Sequence, residues 1–134
     1  MSRQNVEVVK QCWEAVARGG PEALLEFADP AIEWHVRQDL PDAAVYRGHE
    51  GFRALLERFD DAFEEQVYEP AGFTDAGGEV VLVPLRWWAR GRGSGATVVE
   101  RSETWVFTVR ERRIIRVREF RTEEEALEAV ESSE

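Results

Sequence analysis

Cysteine is almost absent from this chain. Cys12 stands alone, which rules out an internal disulfide and suits a reducing, cytoplasmic setting. Histidine is nearly as scarce: His35 and His49 lie far apart and give no zinc-ligand spacing, so no metal site is expected. Positive charge is in deficit, with 17 Lys and Arg against 27 Asp and Glu and a net charge of −10. That balance argues against nucleic acid and anionic membrane as partners, because both attract basic surfaces. No apolar run approaches the roughly 20 residues that span a bilayer. The opening "MSRQNVEVVK" lacks the apolar centre of a signal peptide, so a cytoplasmic location is expected. The segment "RGRGSG" looks superficially like a phosphate loop, yet it joins two strand patterns rather than a strand and a helix, and reads as a hairpin turn.

What remains is a chain of 134 residues, 43% hydrophobic, enough for one domain with a real core. Its first half carries helical spacing. Val6, Val9, Trp13 and Val16 form one stripe that ends at Gly19-Gly20, predicting a helix over 3–18. Pro21 opens a second helix over 21–28. Phe52, Leu55, Leu56, Phe59 and Phe63 share one face of a third, over 49–64. Between the last two lies the strand "AIEWHV", residues 31–36, followed by a loop.

The second half alternates. "QVYEPAGFTD" is an irregular strand, with Pro70 placing it at an edge or bulge. "EVVLVPLRWWAR", "ATVVERSETWVFTV" and "RIIRVREFR" follow as strands, and "TEEEALEAV" closes the chain as a capped helix over 122–130. Helices followed by an antiparallel meander make an α+β domain covering 1–134. In the penultimate strand Arg101, Glu103, Trp105, Phe107 and Val109 share an inward face, while Thr104, Val106 and Thr108 look outward. The last strand repeats the pattern with Ile115, Val117, Glu119 and Arg121. A two-residue turn after Arg110 would pair residues of opposite parity, so both faces turn inward only if a bulge lies near Arg112-Arg113. Charged groups on an inward face cost too much for a plain core, and a cavity open at one end explains them better.

The segments "ALLEFADPAIEWH", "DLPDAAVYRGHEGF", "RGRGSG" and "REFRTEEEALEAV", in this order, resemble the SnoaL-like (polyketide cyclase-like) members of the nuclear transport factor 2-like superfamily. The resemblance implies a cone: three N-terminal helices packed on a strongly curved, mainly antiparallel sheet, with a short C-terminal helix. It also implies a hydrophobic pocket for a small apolar or aromatic molecule, cofactor-free acid–base chemistry, and a homodimer. Within that superfamily the general-base aspartate of ketosteroid isomerases falls at His35. Limonene epoxide hydrolases place a water-binding pair at Glu33 and His35, a catalytic aspartate at Glu119, and an arginine near Arg86, where Trp88 stands for their second acid. Trp105 and Trp13 occupy the positions of the isomerase's acidic and tyrosyl donors, which argues against ketosteroid isomerisation.

Strand alternation leaves two arrangements of "AIEWHV" equally open: Glu33 and His35 in the pocket, or Trp34 there with the other two at the surface. The resemblance favours the first. The candidate catalytic residues are then His35 as base, Glu119 as its partner or as the acid, and Arg86 steadying negative charge. Glu33, Trp88, Arg101, Glu103, Trp105, Phe107 and Val117 would line the pocket. A rim ion pair with Arg101 or Arg121 is the plainer reading of Glu119. Cys12 reads as inert and His49 as exposed beside the third helix. The competing function is a non-catalytic ligand-binding or dimeric assembly module.

Overall fold

The structure is a computed structural model that describes residues 2–40, 43–93 and 98–132. Helix α1 covers Ser2–Gly19 and ends where Gly20, at φ +91°, turns the chain. A 3-10 helix, Pro21–Glu26, follows in place of the expected α-helix. Strand β1 starts immediately after it, at Ala28, and runs to His35, which leaves no length for a longer helix. Strand β2 (Val45–Arg47) leads into α2 (Gly48–Ala62), whose buried Phe52 and Leu55 lie on the predicted face. Then come β3 (Phe63–Pro70), β4 (Thr74–Asp75), β5 (Val80–Gly91), β6 (Val98–Arg110), β7 (Arg113–Phe120) and helix α3 (Glu123–Ser132). The turn expected at "RGRGSG" falls mostly on 94–97, outside the described residues.

Among the described residues the sheet has seven strands in the order β2-β1-β7-β6-β5-β3, with β4 paired to β5. It is curved and unclosed. All pairs are antiparallel except β1 with β7, which is parallel. β3, ending at Pro70, is an edge strand as its proline requires. The helices α1 and α2 close the concave side over a core that includes Val9, Ile32, Val83, Phe107 and Val117.

The hairpin between β6 and β7 turns on Glu111 and Arg112, both at positive φ (51° and 65°), the backbone of a two-residue type I′ turn. Arg110 pairs with Arg113 and Val109 with Ile114, but Thr108 then pairs with Arg116, leaving Ile115 extra. The required bulge is therefore present, a few residues beyond Arg112-Arg113. Ile114, fully buried, takes the inward place expected of Ile115, and beyond the bulge Val117 and Glu119 face inward with Phe107 and Trp105. Thr104, Val106 and Thr108 point outward yet are buried. Part of the cause is α3, whose Ala126 and Val130 pack on Leu82 and Val106. The C-terminal helix thus gives the outer face a small apolar layer of its own.

Candidate functional site

Between the helices and the concave face lies a cavity of about 400 Å³. Its wall is aromatic: Trp13, Trp34, Phe52, Phe59, Tyr68 and Trp105 all reach it. Trp105 is the hub, with its ring 5.2 Å from Trp34, 5.6 Å from Tyr68 and 5.8 Å from Trp13. Trp34 meets it edge to face and the other two are tilted, and rings of this size packed at such angles hold their positions and leave space between them.

The pleat of β6 and β7 delivers the polar groups. Arg101, Glu103 and Trp105 are successive inward residues of β6, and Trp105 pairs with Glu119 of β7. Glu119 keeps part of its surface on the cavity while protein surrounds the rest. The Trp34 indole N–H donates to its Oε2 at 2.7 Å, and the Arg37 backbone N–H donates to Oε1 at 3.4 Å. Glu103 accepts from the Trp105 indole at 2.9 Å and from Arg37 Nη1 at 3.2 Å. Arg37 also forks onto Asp39, at 3.0 and 2.7 Å. Glu103 is therefore matched by a guanidinium, whereas among the described residues the donors to Glu119 are neutral.

The electrostatic result follows. Burial, and then the neighbouring Glu103 charge, push the Glu119 carboxyl up to about 7, against the opposing hydrogen bond from Trp34. Burial also drives the Tyr68 phenol upward, so it stays neutral, donating to Gln66 at 2.8 Å. Cys12 touches the cavity, but desolvation pushes its thiol up to about 12 and leaves it unreactive.

Several expected site residues lie elsewhere. Glu33 and His35 are on the outer face, joined to each other at 3.0 Å, with Arg47 bound to Glu33 at 2.7 Å. His35 and then Arg47 hold the Glu33 carboxyl below its ordinary range. Trp34 takes the inward place. The physical reason is that core and cavity share one side of the sheet: an apolar anchor and a pocket group must point the same way, and Trp34 is both. Arg86 is mostly exposed and pairs with Glu100 outside the cavity. Trp88 points outward with it, since Trp87 is the inward member of that pair. Val117 faces the correct side but lies within the solid core rather than at the cavity wall. Arg101, Glu103, Trp105 and Phe107 do line the cavity, as does Glu119. His49 is half-buried, its Nε2 3.3 Å from the Ala28 carbonyl.

Arg37, Asp39, Gln66 and Tyr68 did not emerge from the sequence. Arg37 had one available signal: the inward Glu103 needed a cationic partner, and Arg37 opens the loop beside "AIEWHV". Among the described residues, no three His, Cys, Asp or Glu side chains are grouped to hold a metal ion, and no helix is long and apolar enough to cross a membrane.

Fold and cavity together define a cone-shaped α+β protein with an acidic group in an aromatic chamber. The chain belongs to the SnoaL-like domain family, whose sequence profile matches residues 9–117. Among solved structures it is similar to a nuclear transport factor 2-like protein from Burkholderia xenovorans LB400, with 30% identity over 90% of both chains and a TM-score of 0.72. It shares its fold with TerC co-crystallised with polyporic acid, at 17% identity over 96% of this chain and 98% of that one, TM-score 0.75. A protein from Jannaschia sp. CCS1, provisionally named a SnoaL-like polyketide cyclase, has 20% identity over 95% of this chain and 90% of that one, TM-score 0.71. No curated protein matches the sequence significantly.

Proposed function

We propose that this protein binds an apolar, oxygenated aromatic molecule in the cavity and acts on it by cofactor-free acid–base chemistry, with Glu119 moving the proton. One observation carries the reading: a carboxyl at about 7 faces an aromatic chamber. Such a group is half ionised near neutrality, so it both removes a proton from carbon beside a carbonyl and returns one to oxygen or carbon. Isomerisation, aldol-type cyclisation and dehydration all need that pair of transfers. The Trp34 and Arg37 N–H groups fix the carboxylate plane, and the apolar wall excludes water that would level its basicity. The polyketide-cyclase naming of a fold neighbour and the ligand bound in TerC agree with an aromatic, oxygenated guest.

The test is proton exchange on a simple 1,3-diketone such as benzoylacetone, followed by NMR in deuterated buffer. The parent should accelerate exchange at the central carbon, and Glu119→Gln should lose about 100-fold or more of that acceleration. Exchange no faster than in buffer would end the catalytic reading. A second reading, a binding module without chemistry, draws on Glu103, whose oxygens are already taken by Trp105 and Arg37. Probe binding without exchange would support it. We further propose a cytoplasmic homodimer that meets through the outer sheet face around Trp88, Arg116 and Arg118. Light scattering should then give twice 15.4 kDa, and a persistent monomer mass would refute it.

A further inference from the structure

We propose that the cavity's ligand carries a carboxylate, and that Arg101 binds it at the end of the chamber away from Glu119. The inference rests on the cavity being a ligand site, and deepens that reading by naming a substrate class.

Arg101 lines the cavity and differs there from the arginines that pair with an acid. Arg37, Arg47, Arg53, Arg86, Arg90, Arg92, Arg110 and Arg121 each sit within ion-pair distance of an acid. Acids outnumber bases by 27 to 17 here, so a cation can readily find a partner. Yet among the described residues no carboxylate lies within 4.0 Å of Arg101, which faces the cavity instead. Its guanidinium lies over the Trp87 ring, 5.2 Å from the centroid. Trp87 is itself fixed: its indole N–H donates to Gln66 at 3.2 Å, and Phe63 meets it edge-on at 5.3 Å.

Stacking occupies one flat face of a guanidinium and leaves the in-plane N–H fork directed sideways, the geometry that receives a carboxylate through two parallel hydrogen bonds. Phe59, Phe63 and Trp87 surround this end with apolar surface, and the reduced dielectric strengthens such a pair. The opposite end sets the orientation. Among the described residues no cation is bound to the oxygens of ionised Glu119, so it repels an anionic group. The two ends stand four residues apart along β6, since Trp105 pairs with Glu119. That is about 13 Å at strand spacing, and the inward reach of both side chains shortens it to the length of a fused bicyclic or biaryl acid.

The experiment compares 2-naphthoate with the neutral 2-naphthamide by titration calorimetry at about pH 7.5 and fixed ionic strength. The parent should bind the acid about tenfold or more tightly than the amide. Arg101→Met, which keeps length and apolar contact, should remove that preference while still binding the amide. Arg101→Lys should keep part of it, and its amide affinity reports independently that the chamber is intact. Equal affinities in the parent, or an undiminished preference in Arg101→Met, would overturn the carboxylate assignment while leaving the cavity as a ligand site. Failure of the parent to bind either probe would overturn both.

Discussion

Replacing Glu119 with Gln should change how stability depends on pH, and the size of the change can be worked out. The folded protein holds the Glu119 carboxyl at about 7, against an ordinary value of 4.5 in the open chain. Between those values the native state keeps a proton that the unfolded state has released. Stability must therefore fall as pH rises through the window, the reverse of the usual carboxylate behaviour. The full cost once Glu119 is ionised is about 3 kcal/mol, of which about 2.5 kcal/mol accrues between pH 5 and pH 8. Glu33, Asp39 and Glu79 are held low by His35, Arg37 and Arg110 respectively. Their contributions are already complete above about pH 5 and add no slope there. Gln resembles the protonated acid in shape, and its carbonyl still accepts from Trp34. Parent and variant should thus have similar stability near pH 5, and the variant should lead by about 2.5 kcal/mol at pH 8. Urea unfolding at fixed protein concentration and several pH values measures both curves. Parallel curves across the window would show that Glu119 ionises as in water, and the acid–base reading would lose its foundation.

Two further outcomes are expected. Gly48 opens α2 at φ +72°, where an added Cβ would lie 3.3 Å from the Pro30 carbonyl oxygen, so Gly48→Ala should cost about 1–2 kcal/mol in urea unfolding. Unchanged stability would mean that α2 is not seated on β1 as described. Cys12, buried and pushed up to about 12, should resist thiol reagents in the native protein and react at once in denaturant, and rapid native labelling would contradict its placement.

The parts of this architecture that could be read from residues are those with a long period. α1 and α2 carry apolar stripes, and β5 to β7 are long runs of eight to thirteen residues rich in β-branched and aromatic residues. Short elements were hidden. β2 has three residues and exists because Glu33, Trp34 and His35 offer it partners, a tertiary cause with no local signature. The inward placing of Glu103 and Glu119 follows from alternation with one apolar neighbour each, Trp105 and Val117, together with the bulge that brings both strands' faces inward. β1 could not be resolved in the same manner. Alternation separates Trp34 from Glu33 and His35 but does not say which side is interior, and the family correspondence at 33 and 35 favours the side that lies outside the cavity. Treating core and cavity as one interior would have placed Trp34 there on size and polarity. Arg37 was lost because a loop has no period, so nothing in its neighbours marks it as buried.

The extra residue at Ile115 has a consequence for how this chain can change length. Removing a residue from the middle of a strand ordinarily reverses every side chain beyond it. Here Ile114 already matches Val109, and Arg116 already matches Thr108, so Ile115 is a spare. A chain without it would run Ile114 inward, Arg116 outward and Val117 inward in simple alternation, with Glu119 still directed at Trp34. The same chain forced into a regular ladder with Ile115 retained would instead turn Arg116 and Arg118 into the chamber and Glu119 out of it. Shortening is thus the conservative edit at this point, whereas smoothing the backbone is the destructive one. A deletion at 115 that preserved the pH signature of Glu119 would show a cavity carboxyl insulated from a loss of sequence only four residues away.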